Sequence, residues 1–172
     1  FARHRRSGLA IANFSGFEAD LLRNLASQLV ELLRDEQPSG PSSEDPLEAL
    51  FDFAGPVDEP QDPVLLRLFP TAYADDPEAA GDFRRYTEAS LREGKERTAM
   101  VLISSLEEGG LAPEVDVDEI VIDVELTAEA AGAWLRALTD LRLALAARLG
   151  VTGDDEEFWD SLEDDDPRSA TH

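Results

Sequence analysis

IVIDVELTAEAAGAWLRALTDLRLALAARLG, residues 120–150, decides the fold. Its first seven residues are β-branched and partly alternating, the pattern of a half-buried strand. Thr127 then stands at a helix N-cap position, and Gly150 where that helix ends. Between them Trp134, Leu138, Leu141, Leu145 and Leu149 fall within one stripe about 80° wide at 100° per residue. Leu135 and Leu143 lie off the stripe. This helix is therefore apolar on more than one side and is expected between two neighbours, near the centre of the domain. The strand before it needs a partner, and the only other candidate run is LAIANF, 9–14. The two are predicted to pair, tying the start of the chain to its last third.

The remaining elements are helical. Ser15 and Glu18 in SGFE form a capping box, and Phe17, Leu21, Leu22, Leu25, Leu29, Leu32 and Leu33 follow at helical spacing, predicting a helix over 16–35. Asp45-Pro46, Asp62-Pro63 and Asp76-Pro77 each read as a cap followed by proline at a first helical position, where its missing N–H breaks no bond. The first opens a short helix with Leu47, Leu50, Phe51 and Ala54 on its face. The second opens VLLRLF, and the third a long helix to about Glu107. In that long helix Ala79, Phe83 and Tyr86 are expected to line the first half. Ala99, Leu102, Ile103 and Leu106 are expected to line the second. Gly94, mid-helix, costs about 1 kcal/mol against alanine and marks a bend or a close crossing.

The fold class is mainly α: a compact helical domain with a small two-stranded sheet, 9–14 with 119–126. A basic flexible tail (1–8) precedes a single domain (9–150) with flexible linkers near 36–45 and 56–62, and an acidic C-terminal tail (151–172) follows.

Composition narrows the function. With 172 residues and 42% apolar content, the chain can build one real core. It has no cysteine, which excludes disulfides and thiolate chemistry within it. Its two histidines, His4 and His172, lie near opposite ends, which argues against a histidine metal site or general base. No nucleotide-binding glycine motif, nucleophile elbow or zinc-protease motif occurs. No enzymatic activity, cofactor or metal is expected. No run of apolar residues is long enough for a membrane span and the start shows no secretory signal, so a cytoplasmic location is expected.

The formal charge is −23. Such a chain repels phosphate backbones, and autonomous DNA binding needs a basic footprint. The densest one is Arg3, His4, Arg5 and Arg6, sufficient for a weak direct DNA contact at most.

Four places are candidates for partner contact. Arg136 and Asp140 stand four apart on the 128–149 helix as an i,i+4 pair. Arg142 and Arg148 flank its apolar stripe, where arginines usually clamp to a carboxylate. The preferred reading is internal clamps, with a partner-facing role for Arg136, Asp140 and Arg142 as the alternative. Arg84 and Arg85, beside Tyr86, read first as a solvated helix face and second as an anion-binding pair. In DDEEFWDSLEDDD, 154–166, Phe158 and Trp159 with Leu162 are spaced like an amphipathic anchor within a solvated acidic tail. Neither this run nor EVDVDE (114–119) has the spacing of a calcium loop.

Two longer blocks, LFPTAYADDPEAAGDFRRYTEASLREGK (68–95) and ELTAEAAGAWLRALTDLRLALAARLGV (125–151), stand beside SGFEADLLRNLASQLVELL (15–33). Together they resemble an actinobacterial domain-of-unknown-function family linked to AosR-type oxidative-stress transcriptional regulators. The resemblance runs in order over roughly residues 9–168. It implies a non-enzymatic cytoplasmic regulator that acts through protein contacts with RNA polymerase or an alternative sigma factor, raising cysteine biosynthesis under oxidative stress. It also implies genes near a Clp protease adaptor and a sulfur-carrier route to cysteine. The alternatives are an acidic adaptor or nucleic-acid mimic tied to Clp proteolysis, and an acidic metal-dependent enzyme. The oligomeric state is left open.

The chain departs from the family in three ways. A cysteine-pair sensor is described for the family, and this chain has no cysteine. Thr139 stands where members usually have asparagine. Members usually continue past DDDPR with another aromatic helix, whereas here only SATH follows. Its absence is expected to leave part of the Trp134 helix uncovered, or free for a partner.

Overall fold

The computed structural model describes residues 2–3, 8–35, 58–112 and 120–151. The expected short helix after Asp45-Pro46, the 36–45 linker, the acidic 154–166 run, and His4, Arg5 and Arg6 lie outside the described residues.

Strand β1 is Ala2–Arg3 and β2 is Ala10–Ser15. Helix α1 is Gly16–Asp35, α2 is Pro63–Leu68 and α3 is Pro77–Glu108. Strand β3 is Val121–Leu126, and α4 is Ala128–Leu149. The fold is mainly α, with a small antiparallel sheet, as expected. The predicted pairing of the two apolar runs is present: β2 and β3 run antiparallel from Ala10↔Leu126 to Ser15↔Val121. The sheet order is β1-β2-β3. The two residues of β1 pair with Ile11 and Ala10, so a short third strand arises within the segment expected to be a tail.

Local chemistry sets each boundary. Ser15 and Glu18 complete the capping box: the Ser15 N–H donates to Glu18 Oε2 at 2.8 Å, and the Glu18 N–H donates to Ser15 Oγ at 3.3 Å. The backbone and side-chain hydrogen bonds from Ser15 lower the Glu18 pKa. Asp62, Asp76 and Thr127 cap α2, α3 and α4 by accepting from the N–H groups of Val64, Ala79 and Ala130. Gly150 ends α4 in the left-handed region at φ 72°. The Val151 N–H reaches Ala146 O at 2.9 Å and the Gly150 N–H reaches Ala147 O, the two bonds of a Schellman motif.

β3 alternates strictly, with Ile122, Val124 and Leu126 buried and Val121, Asp123 and Glu125 exposed. Its buried face meets Leu102 and Leu106 of α3, Trp134 and Leu141 of α4, and Leu29 and Leu33 of α1 in one core. Trp134 is 2% exposed and stacks on Phe14 at 5.7 Å between ring centroids. Helix α4 packs against both α2 and α3, the two neighbours its dispersed leucines implied. Where α3 ends, a Cβ on Gly109 would sit 2.9 Å from Asp123 O and 3.0 Å from Ile122 Cγ2. Only glycine lets the helix come that close to the strand.

One helix face differs from the expectation. In the first half of α3, Phe83 and Tyr86 are 43% and 65% exposed, whereas Arg84, Glu88 and Arg92 are buried with Gly81. The helix continues through Gly94 without turning its core face. Extended at 100° per residue, the stripe of Ala99, Leu102 and Leu106 passes through Arg92, Glu88, Arg84 and Gly81 within about 80°. Helical register thus outweighs the side chains' own hydropathy.

Candidate partner-binding groove

Beyond that core, a groove of about 480 Å³ lies between α3 and α4. Ser90, Leu91, Gly94, Lys95 and Thr98 line it from α3, and Leu135, Arg136, Thr139 and Asp140 from α4. Gly94 needs no close approach here, since a Cβ on it would meet nothing within 4 Å. Its missing side chain leaves room in the groove that it lines.

The lining is polar by residue type but apolar in what it offers. The Ser90 hydroxyl donates to Thr87 O, the Thr98 hydroxyl to Lys95 O, and the Thr139 hydroxyl to Leu135 O, all within their own helices. On the floor, Lys95 Nζ donates to Asp140 Oδ1 at 2.7 Å and pins α3 to α4. Asp140 is 6% exposed, so this pair is structural as well as polar. The walls are Leu91 and Leu135, 48% and 70% exposed. Arg136 stands exposed at the rim. A Cβ on Gly132 would lie 3.6 Å from its Nη1, so its side chain turns back along α4. Such a groove accepts an apolar side chain next to an anion.

The structure brings Arg136 and Asp140 to one site but does not pair them. The expected i,i+4 bridge is replaced by Lys95–Asp140. Asp140 lies on the flank of α4 turned toward α3, where Lys95 reaches it from the facing helix. Arg148 fulfils the clamp reading, donating to Asp62 Oδ2 at 2.8 Å and joining α4 to the cap of α2. Arg142 is exposed on the same side as Leu135 and makes no ion pair among the described residues. On α4 the exposed side is that of Leu135, whereas Trp134 is buried.

Arg84 corrects the solvated-face reading. It is 7% exposed and donates to Glu88 Oε2 at 2.8 Å, while Arg92 Nε donates to Glu88 Oε1 at 2.8 Å. Arg92 Nη1 also donates to Leu33 O at the end of α1, and its guanidinium lies 4.9 Å from the centroid of Phe69. Arg84 Nη2 reaches Thr71 Oγ1 at 3.4 Å, and Thr71 in turn donates to Glu59. The triad therefore stitches α1, α3 and the turn after α2, and offers no open anion site. Its signal was the spacing R-x-x-x-E-x-x-x-R in register with the downstream aliphatic stripe. Arg85 is half-buried and stands apart from the groove lining. Arg3 enters β1 by its backbone, and Phe158 and Trp159 lie outside the described residues.

A mainly helical domain with a small antiparallel sheet and an open groove between its two long helices defines the class. All 172 residues, 1–172, match the model of the family described as a domain of unknown function (DUF2017), and the chain belongs to that family. Among curated proteins it is similar to the "Oxidative stress regulator AosR" of Mycobacterium bovis and of Mycobacterium tuberculosis. Each is 33% identical over 148 residues, 78% of this chain and 62% of the relative. A "Putative oxidative stress regulator AosR" from Mycobacterium leprae is 34% identical over the same length. The chain thus spans less than two thirds of the length of these relatives. No solved structure matches it significantly. No helix among the described residues is long and apolar enough to cross a membrane.

Proposed function

We propose that the chain is a non-enzymatic regulatory domain of oxidative-stress control. It acts in the cytoplasm through protein contacts with RNA polymerase or a sigma factor. The regulator names of its relatives support the regulatory part of this reading. The observation that carries the contact part is the α3/α4 groove, with exposed leucine walls, internally satisfied hydroxyls and an exposed arginine at its rim. Exposed leucines around one basic side chain suit a protein helix carrying an acidic residue beside an apolar anchor. With no cysteine among these 172 residues, any thiol that senses oxidation lies outside them.

The test is co-purification with RNA polymerase and sigma factors from an actinobacterial lysate at physiological salt. Wild type is expected to recover transcription components, and Leu135→Asp and Arg136→Glu to lose them. Arg85→Ala, which lies outside the groove lining, is expected to retain them. A wild-type chain that captures none of these components would sink the proposal.

A further inference from the structure

We infer that the acidic segment around Phe158, Trp159 and Leu162 docks back, within the same chain, into the α3/α4 groove. Three observations lead there. The first is the exit of the chain from α4. The Schellman bonds of Gly150 and Val151 to Ala147 and Ala146 turn the backbone back toward the helix it has just left. At 100° per residue, Ala146, Thr139 and Leu135 share one side of α4 within about 40°. The reversal therefore starts on the groove side.

The second is reach. From Gly150 back to Thr139 is about 16 Å along the helix. Residues 152–157 can extend to about 20 Å, enough to deliver Phe158 to the groove mouth. The third is chemistry. Arg142 flanks this return path on one side and Arg136 on the other, both exposed and neither in an ion pair among the described residues. The segment DDEEFWDSLEDDD places two aromatic rings and a leucine between two runs of carboxylates. The rings fit the leucine-walled groove and the carboxylates fit the arginines.

Docking stands without the regulator reading. Only its consequence, that the segment competes with a protein partner for the groove, rests on that reading.

The two native tryptophans provide the test, on the full chain and with no partner present. Trp134 is 2% exposed and is shielded from acrylamide, so quenchable emission reports Trp159, as Trp159→Phe verifies by removing it. Wild type is expected to protect Trp159. Arg136→Glu is expected to shift the docked-to-open ratio about fivefold toward open, the size of one surface charge contact. Leu135→Asp is expected to release Trp159 fully. Both positions are exposed, so both variants keep the fold, which far-UV circular dichroism checks. A wild-type Trp159 as quenchable as free tryptophan, or protection indifferent to both variants, overturns the inference. Protection that grows with protein concentration also overturns it, assigning the groove to the segment of a second copy.

Discussion

The two halves of α3 lie on one continuous helix and face one core, yet they fill it differently. The half from Pro77 to Arg92 buries Arg84, Glu88 and Arg92 and leaves Phe83 and Tyr86 outside. The half that follows buries Ala99, Leu102 and Leu106, each 0% exposed. The aliphatic half is held by surface removed from water, which has no direction. The charged half is held by three side chains whose donors and acceptors match, Glu88 taking one arginine on each oxygen. Such a cluster specifies its neighbours more than it stabilises them. It requires the carbonyl of Leu33 and the ring of Phe69 in fixed places.

Breaking the charged half should cost most. Glu88→Ala leaves two guanidinium groups buried without their shared carboxylate, with an expected loss of about 3–5 kcal/mol in urea unfolding. Leu102→Ala, the matching cut in the aliphatic half, should lose about 2–5 kcal/mol by leaving a cavity. Similar totals would hide different causes, and thermal melts of a designed swap separate them. Arg84→Met, Glu88→Leu and Arg92→Met together should leave stability unchanged or raise it by about 1–4 kcal/mol. A large loss from the triple replacement would mean that the charges are net stabilising and that the contrast between the halves has been drawn the wrong way.

Smaller effects sharpen the assignment of faces. Phe83 meets Tyr73 edge-on at 5.9 Å but is 43% exposed. Phe83→Ser should therefore cost about 1 kcal/mol or less by chemical denaturation, little more than the aromatic pair itself. A loss equal to that of Leu102→Ala would put Phe83 in the core and undo the contrast.

The least effect is expected at the capping box. The Glu18 pKa is lowered in the folded chain by its bonds from Ser15. The stabilisation from its charge is fully present above the unfolded-state value and is lost as pH falls through the lowered folded value. The stability difference between wild type and Glu18→Gln should therefore shrink on acidification, as measured by urea melts at neutral and acid pH.

The contrast also explains what could be read from the sequence. Caps and helix limits were legible because they depend on neighbours in sequence, and the strand pairing because only two apolar runs were candidates for it. Ser15–Glu18, Asp62-Pro63, Asp76-Pro77, Thr127 and Gly150 each mark a boundary that the structure keeps. The second half of α3 faces the core as its hydropathy implies, but the face of the first half was not legible from hydropathy, because partners from α1 and the turn after α2 make burial of Arg84 and Arg92 tolerable. The groove was half legible. Arg136 and Asp140 could be placed together from their spacing, but Lys95, the residue that takes Asp140, arrives from a helix 45 residues away in sequence. The internal hydrogen bonds that make Ser90, Thr98 and Thr139 present apolar surface leave no trace in composition.

The sheet order has a consequence for solubility. Among the described residues β3 has one strand neighbour, β2. That strand is only six residues long and carries Asp123 and Glu125 on its open face. Two copies meeting there would bring like charges together before their backbones could pair. The acidity of the strand would then keep this short ladder from recruiting its own kind.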